Sequence, residues 1–272
     1  MPTTIAVFSD VHANLPALMA VLDDLDRRQA EGTVDAVYCL GDLVGYNVWP
    51  NEVVQAVHGR GIPTIAGNYD EGVGLGSDDC GCAYKTEEDE ARGAESIAFT
   101  NGVVTEATRR YLRGLPRHLR LTFEVPRQRD AEPIDVLLVH GSPRRVNEYL
   151  FEDRPDASFL RIIEAAGADV LLFGHTHKPF HKALAYEDAG ASPEGTTRYR
   201  HAVNTGSVGK PKDGDPRAGY VLLTLDPERG KGDAAYCQVE RVRVAYDVER
   251  VAEAVEASPL PDAFADMLRE AY

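Results

Sequence analysis

Several things are scarce in this chain of 272 residues. No window approaches the roughly 18 consecutive apolar residues of a membrane-crossing helix, which excludes a chain threaded through a bilayer as helices. Positive charge is short: 29 Lys and Arg stand against 44 Asp and Glu, a formal charge of −15. Affinity for a nucleic-acid polymer comes largely from basic patches, so no such polymer is the expected partner. A small phosphorylated substrate stays compatible, because bound divalent cations reverse the field locally. The amino-terminal stretch has no basic region and no long apolar run. It enters a strand pattern at once, so no secretory leader is read and the expected compartment is the cytoplasm.

Cysteine is rare too, with four in all. Cys39 lies in an apolar run and reads as a small core residue. Cys80 and Cys82 form a C-x-C pair without a second pair at zinc-site spacing, and read as loop thiols without a role.

What is present is an ordinary globular composition, 43% hydrophobic and 27% charged, long enough for a substantial core. The expectation is one domain over residues 1–272. Short apolar runs alternate with helical patterns, as in α/β proteins. TIAVFS (residues 4–9), DAVYCL (35–40), IPTIA (62–66), IDVLLV (134–139) and DVLLF (169–173) read as buried strands. Asn14 is a good N-cap before a helix whose apolar face is Leu15, Leu18, Met19, Leu22 and Leu25. Further helices are expected around Val53–Val57 and residues 159–166. The last third reads as antiparallel strands closed by one or two helices. The polar segment 73–96 is expected to be a loop insertion, a candidate lid, leading into a helix.

The strand ends carry the chemistry. The first run ends in Asp10-x-His12, the second in Gly41-Asp42, the third in Gly67-Asn68. The fourth ends in His140-Gly141 and the fifth in Gly174-His175-x-His177. Ligands of open α/β sheets bind at that edge. Any one of these residues alone is more often a turn former. Together they offer imidazole, carboxylate and amide oxygen, donors that suit divalent metals. They are too many for one tetrahedral ion. They suit two ions sharing a carboxylate, a recurring device for phosphoryl chemistry. His58, His118, His181 and His201 lack this placement and read as surface or packing residues, the last two as candidates for supporting the motifs.

These motifs resemble those of the calcineurin-like metallophosphoesterases, D-x-H, G-D, G-N-H-[DE], H-G and G-H-x-H. The third stands here as Gly67-Asn68-Tyr69-Asp70. SDVHANLPAL near the start and NTGSVGKPKDGDPRAGYVLL near the end look like the compact prokaryotic phosphodiesterase branch. The resemblance implies a four-layer α/β/β/α sandwich with two facing mixed β-sheets. It implies one metal held by Asp10, His12 and His177, another by Asn68, His140 and His175, and Asp42 bridging both. It also implies a metal-bridging hydroxide that attacks phosphorus. Mn, Fe, Ni or Zn would serve, with Mn favoured.

The departure is Tyr69, where monoesterase and protein-phosphatase relatives carry a His thought to protonate the leaving oxygen. Tyrosine is a poor acid at neutral pH. The expected activity is therefore hydrolysis of a small phosphodiester, a nucleotide among the candidates, with Tyr69 and Asp70 as candidate catalytic residues. Asp70 is expected to orient a ligand such as His12. Asn14, Arg144 and Tyr149 are candidate substrate contacts, and Lys178, Lys210 and Arg217 a candidate positive rim. The alternatives are a phosphomonoesterase or Ser/Thr-type protein phosphatase, and a non-catalytic metal-binding interaction module.

Overall fold

The computed structural model describes residues 2–83, 86–124, 132–188 and 196–272. Nine strands and eight α-helices are described. In chain order they are β1 (Thr3–Phe8), α1 (Leu15–Ala30), β2 (Ala36–Cys39), α2 (Pro50–Gly59), α3 (Asn68–Leu75), α4 (Glu87–Val103), α5 (Glu106–Arg113), β3 (His118–Phe123), β4 (Ile134–Val139), α6 (Asp156–Ala165), β5 (Val170–Phe173), β6 (Phe180–Glu187), β7 (Thr197–Asn204), β8 (Ala218–Leu225), β9 (Cys237–Val244), α7 (Val248–Glu256) and α8 (Ala263–Glu270). One mixed sheet has the order β2-β1-β8-β9 and the other β3-β4-β5-β7-β6.

Alternation along the strands explains the layers. Ile5 and Val7 of β1 meet Val136 and Leu138 of β4 and Leu172 of β5 in the core between the sheets. Ala6 and Phe8 point the other way, onto Leu18, Val21, Leu22 and Leu25 of α1. On the far side, Leu137 and Val139 of β4 pack on Phe159, Ile162 and Ile163 of α6. A strand buried on both faces must be apolar throughout, hence the unbroken runs in the sequence. The result is the expected four-layer α/β/β/α sandwich. Helices α7 and α8 add a small core of their own, with Val251, Val255, Phe264 and Leu268. No helix among the described residues is long and apolar enough to cross a membrane.

Four expectations are corrected. IPTIA is not a strand: it makes one parallel bridge, Cys39 to Thr64. Pro63 has no N–H to offer a ladder. The polar residues after it are no simple turn, because Asn68, Tyr69 and Asp70 open α3. Strand β3 was not foreseen in the sequence; its burial alternates as an edge strand's does, and it pairs antiparallel with β4. The late strands do pair antiparallel, β6 with β7 and β8 with β9, but they are divided between the two sheets. β6 and β7 join the second sheet, where β7 runs parallel to β5, while β8 and β9 complete the first. Segment 73–96 is not loop throughout: α3 runs to Leu75 and α4 starts at Glu87, capped by the Thr86 side chain. Residues 84 and 85 within it lie outside the described residues.

Candidate metal centre

The loops after β1, β2, β4 and β5 are laced together by backbone hydrogen bonds. Asp10 N–H donates to the Gly41 carbonyl and His12 N–H to the Asp42 carbonyl, each at 2.9 Å, and Gly174 N–H donates to the His140 carbonyl at 2.9 Å. These turns are strained. Asp10, His12, Asp42, His175 and His177 all have φ between 47° and 65°, the left-handed region that non-glycine residues rarely adopt. Such outliers persist where the surroundings over-determine them, and they cluster at functional sites. Two glycines make the close approach possible. A Cβ on Gly67 would overlap the Asp42 carboxylate, and one on Gly174 the Asp10 carboxylate and Ser9.

Two clusters result, Asp10 with His12 and His177, and Asp42 with His140 and His175, the donor atoms of each within 4.8 Å of one another. All six side chains are buried. Hydrogen bonds fix the rings. The Nδ1 of His12 faces the Val44 carbonyl at 3.0 Å, that of His140 the Leu40 carbonyl at 2.9 Å, and that of His177 the Lys210 carbonyl. A carbonyl only accepts, so each Nδ1 carries the proton and each Nε2 keeps its lone pair. Yet the Nε2 atoms of His12 and His177 stand 3.1 Å apart. Asn68 repeats the arrangement. Its Nδ2 donates to the Cys80 carbonyl at 3.0 Å and the Cys82 Sγ at 3.2 Å, which turns its Oδ1 onto His140 Nε2 at 3.1 Å. Two acceptors facing each other in a buried site repel, unless a cation lies between them. The buried Asp10 Oδ1 and His175 Nε2 have no hydrogen-bond partner, as expected of metal donors. The residues therefore fit divalent ions.

Asp42 stands between the clusters. Its Oδ2 lies 3.3 Å from His140 Nε2 and 3.6 Å from His12 Nε2, while its Oδ1 accepts from Tyr69 N–H at 2.9 Å. The electrostatics agree with a cation site. Burial alone would lower His140, but the Asp42 and Asp10 carboxylates push it up to about 10, so that with no metal ion bound a proton on Nε2 stands in for the cation between His140, Asp42 and Asn68. Burial lowers His12 to about 3 and His175 to about 4, the latter helped by His140. Burial would raise Asp42, but His140, His12 and His175 hold it well below the carboxylate range.

Other sequence candidates fall elsewhere. Asp70 does not orient His12. It accepts from Leu43 N–H at 2.9 Å and Gly67 N–H at 3.0 Å, tying together the loops that carry Asp42 and Asn68. Burial, then Asp42, pushes its carboxyl up to about 7. Tyr69 is buried, 1% exposed, with its ring edge-on to that of His12 at 5.5 Å and tilted against Tyr46 at 4.9 Å, and it does not line the cavity that Tyr46 lines. Asn14 is committed to structure, accepting from Ala17 N–H and donating to the Gly209 carbonyl and Tyr246. Arg144 pairs with Glu148 and lines a second, basic cavity with Arg117, Arg120, Arg145 and His140. Arg217 pairs with Asp215. His181 and His201 hydrogen-bond each other at 2.9 Å.

Tyr149 does reach the site, its ring 4.1 Å from that of His175. It lines a cavity of about 550 Å³ beside the clusters, with Lys178, Lys210, Thr176 and residues of the 73–96 segment; none of the seven donors lines it, but Tyr149 and Thr176 join it to the His175 loop. Sequence reasoning missed Tyr46 and Lys212, which also line it. The Tyr46 ring lies 4.9 Å from that of His12, and its φ is 62°. Neither residue sits at a strand end, so no motif marked them.

The family model for calcineurin-like phosphoesterases matches residues 3–179. The chain belongs to the calcineurin-like phosphoesterase family. An uncharacterised protein of Methanocaldococcus jannaschii is 30% identical over 95% of this chain and 94% of its own length. A metallophosphoesterase from Sphaerobacter thermophilus superposes with a TM-score of 0.69 at 26% identity, covering 100% of both chains. A hypothetical protein from Pyrococcus horikoshii superposes at 0.76 with 21% identity, covering 99% of both, a likeness of fold. For a calcineurin-like phosphoesterase the two clusters mark a candidate dinuclear site for divalent ions, and the family is one of hydrolases acting on phosphoesters.

Proposed function

We propose that the chain is a dinuclear-metal-dependent phosphodiesterase acting on a small phosphoester, and that it works as one unit over residues 1–272. Asp10, His12 and His177 would hold one ion, Asn68, His140 and His175 the other, with Asp42 shared. Mn is the ion we expect first, and the cytoplasm the compartment. The observation that carries the reading is the pair of buried donor clusters, in which His12 and His177 face each other through Nε2 at 3.1 Å and Asn68 Oδ1 faces His140 Nε2 at 3.1 Å. Bound there, two divalent ions would activate water and neutralise charge on the phosphoryl group. The chain's own part is to hold the donors in place. The Val44, Leu40 and Lys210 carbonyls fix three imidazoles, Tyr69 N–H fixes Asp42, and Asp70 clamps two of the loops. Tyr149 flanks the floor, and Cys82, Ala83, Asp89, Arg92 and Gly93 form part of the cavity wall, with segment 73–96 as a candidate lid. The diester preference rests on position 69, where a buried tyrosine stands in place of a histidine able to protonate a leaving group.

A monoesterase is favoured by one observation, the lysines of the cavity, since a monoester dianion carries more charge than a diester. A panel of activated phosphomonoesters and diesters with Mn, Ni, Mg and Zn supplied in turn separates the readings. Diesters should turn over faster. A clear preference for monoesters would overturn the diesterase reading, and turnover that survives Asp42→Ala would overturn the two-metal site.

A further inference from the structure

The cavity beside the clusters carries charge of the opposite sign to the chain as a whole. Lys178, Lys210, Lys212 and Arg92 line it against one carboxylate, Asp89, which lies 3.7 Å from Arg92. Among the described residues no carboxylate comes within 4.0 Å of any of the three lysines. Lys210 is the unusual member. It is 4% exposed, yet its ammonium meets only the Met267 thioether at 3.4 Å and the face of the Tyr46 ring, 4.7 Å from the centroid. A thioether is a weak acceptor and a ring face only a partial counter-charge. A buried ammonium without an anion is costly, and burial, then Lys212, lowers Lys210 well below the usual lysine range; an anion bound beside it would restore its charge.

The backbone around this amine is anchored to the metal floor. Lys210 N–H donates to Ser207 Oγ at 2.8 Å, and the Lys210 carbonyl holds the His177 ring. The amine is thus carried on the same rigid turn as the floor itself. Lys178 directly follows His177 and stands exposed at the mouth. Lysine is a common point-charge binder of phosphate. Tyr149 and Phe151, which also line the cavity, are stacked, 5.7 Å apart at 15°, with Tyr149 against the His175 ring.

Building on the phosphoesterase reading, we propose that Lys178, Lys210 and Lys212 form a second phosphate subsite. The ester attacked at the metal floor then belongs to a substrate with at least one further phosphoryl group. The aromatic wall suits a base-like ring, and a cavity of about 550 Å³ lies within the range that holds nucleotide-sized ligands. The fitting class is a nucleoside-type ester with two or more phosphates.

The test uses metal-loaded full-length protein and an activated diester as reporter. Tripolyphosphate and orthophosphate are compared as inhibitors, and the ratio of their inhibition constants is read. A general loss of activity leaves that ratio unmoved, and capture of free metal by tripolyphosphate is the same for every variant. Wild type should favour tripolyphosphate at least tenfold. Lys210→Met and Lys212→Met should each cut the ratio several-fold, and Lys212→Arg should preserve it. A ratio near one in wild type, or equal ratios in all variants, overturns the subsite. If wild type cleaves no ester, the phosphoesterase reading fails, while calorimetric titration of the same proteins with tripolyphosphate still decides the subsite.

Discussion

Gly67→Ala is the sharpest probe of the metal floor, because one methyl group is aimed at one carboxylate. The backbone of Gly67 is extended, with φ −86° and ψ 177°, so alanine meets no torsional objection. The added Cβ would instead overlap the backbone nitrogen and carboxylate of Asp42, the residue that stands between the clusters. Neither side can yield freely. Gly67 N–H is held by Asp70, and Asp42 Oδ1 by the N–H of Tyr69. The loop must open on the order of 1 Å, and a misplacement of that size at a reacting centre costs about 100-fold in rate. Overpacking of this kind destabilises by about 1–3 kcal/mol, roughly 2–4 °C of melting temperature per kcal/mol for a chain of this size. The sheet cores are untouched, so the protein should still fold. Three measurements check this: bound metal by elemental analysis, diester turnover, and thermal melts with and without added metal. We expect fewer than two bound ions, turnover down about 100-fold, and a smaller rise in melting temperature on adding metal. Full metal occupancy with wild-type turnover would refute the placement of Asp42 and the packing argument together.

Other consequences are simpler to state. Tyr69→Phe should keep turnover within about 3-fold, because the backbone rather than the side chain holds Asp42, whereas Tyr69→Ala should cost about 3–5 kcal/mol in denaturant melts through the cavity it leaves. Tyr69→His should raise monoester over diester turnover if a histidine there can reach the leaving group; an unchanged ratio in the substrate panel would remove position 69 from the specificity argument. Arg144→Ala should leave KM for an activated diester nearly unchanged, since Arg144 pairs with Glu148 and lines another cavity; a tenfold rise in KM would restore it as a substrate contact. His201 is lowered by burial, then by His181, from 6.5 to about 3. The unfolded chain therefore takes up a proton below pH 6.5 that the folded chain refuses. This contribution to stability is complete above that pH and is lost as pH falls below it, with a slope of at most about 1.4 kcal/mol per pH unit. Urea melts between pH 5 and 7 should show a shallower dependence for His201→Gln than for wild type, and identical slopes would refute the assignment.

Much of the fold was legible because burial on both faces of a strand forces an unbroken apolar run, as in β1, β4 and β5. IPTIA misled because it is equally apolar yet has Pro63 where a ladder needs a donor. β3 hid because an edge strand alternates, and Leu119, Leu121 and Phe123 among polar neighbours imitate a surface segment. The candidate site divides in the same way. Strand-end position and residue type picked out Asp10, His12, Asp42, His140, His175 and His177, since short-range backbone geometry decides what a strand delivers at its end; Asn68 was picked out by the same reasoning although it opens a helix after a segment that is no strand. The roles of their neighbours depended on contacts between segments distant in the chain. Asp70 looked like a support for His12, and Asn14 and Arg144 like substrate contacts. Their actual partners, Leu43, Gly209 and Glu148, are set by how helices and loops pack.

Hydrophobic period and strand-end chemistry are local properties, and they were enough for the α/β pattern, the buried strands and a candidate set of donor residues; the four layers came from the family resemblance. Only the tertiary structure decided which donors face one another, that Tyr69 lies beneath the floor rather than in the cavity, and that Lys210 and Lys212 border it. The loop after β7 crosses to the carboxyl end of β1, where Val208 and Gly209 donate to the carbonyls of Ser9 and Asp10. That pairing spans about 200 residues of chain, and no local pattern encodes it.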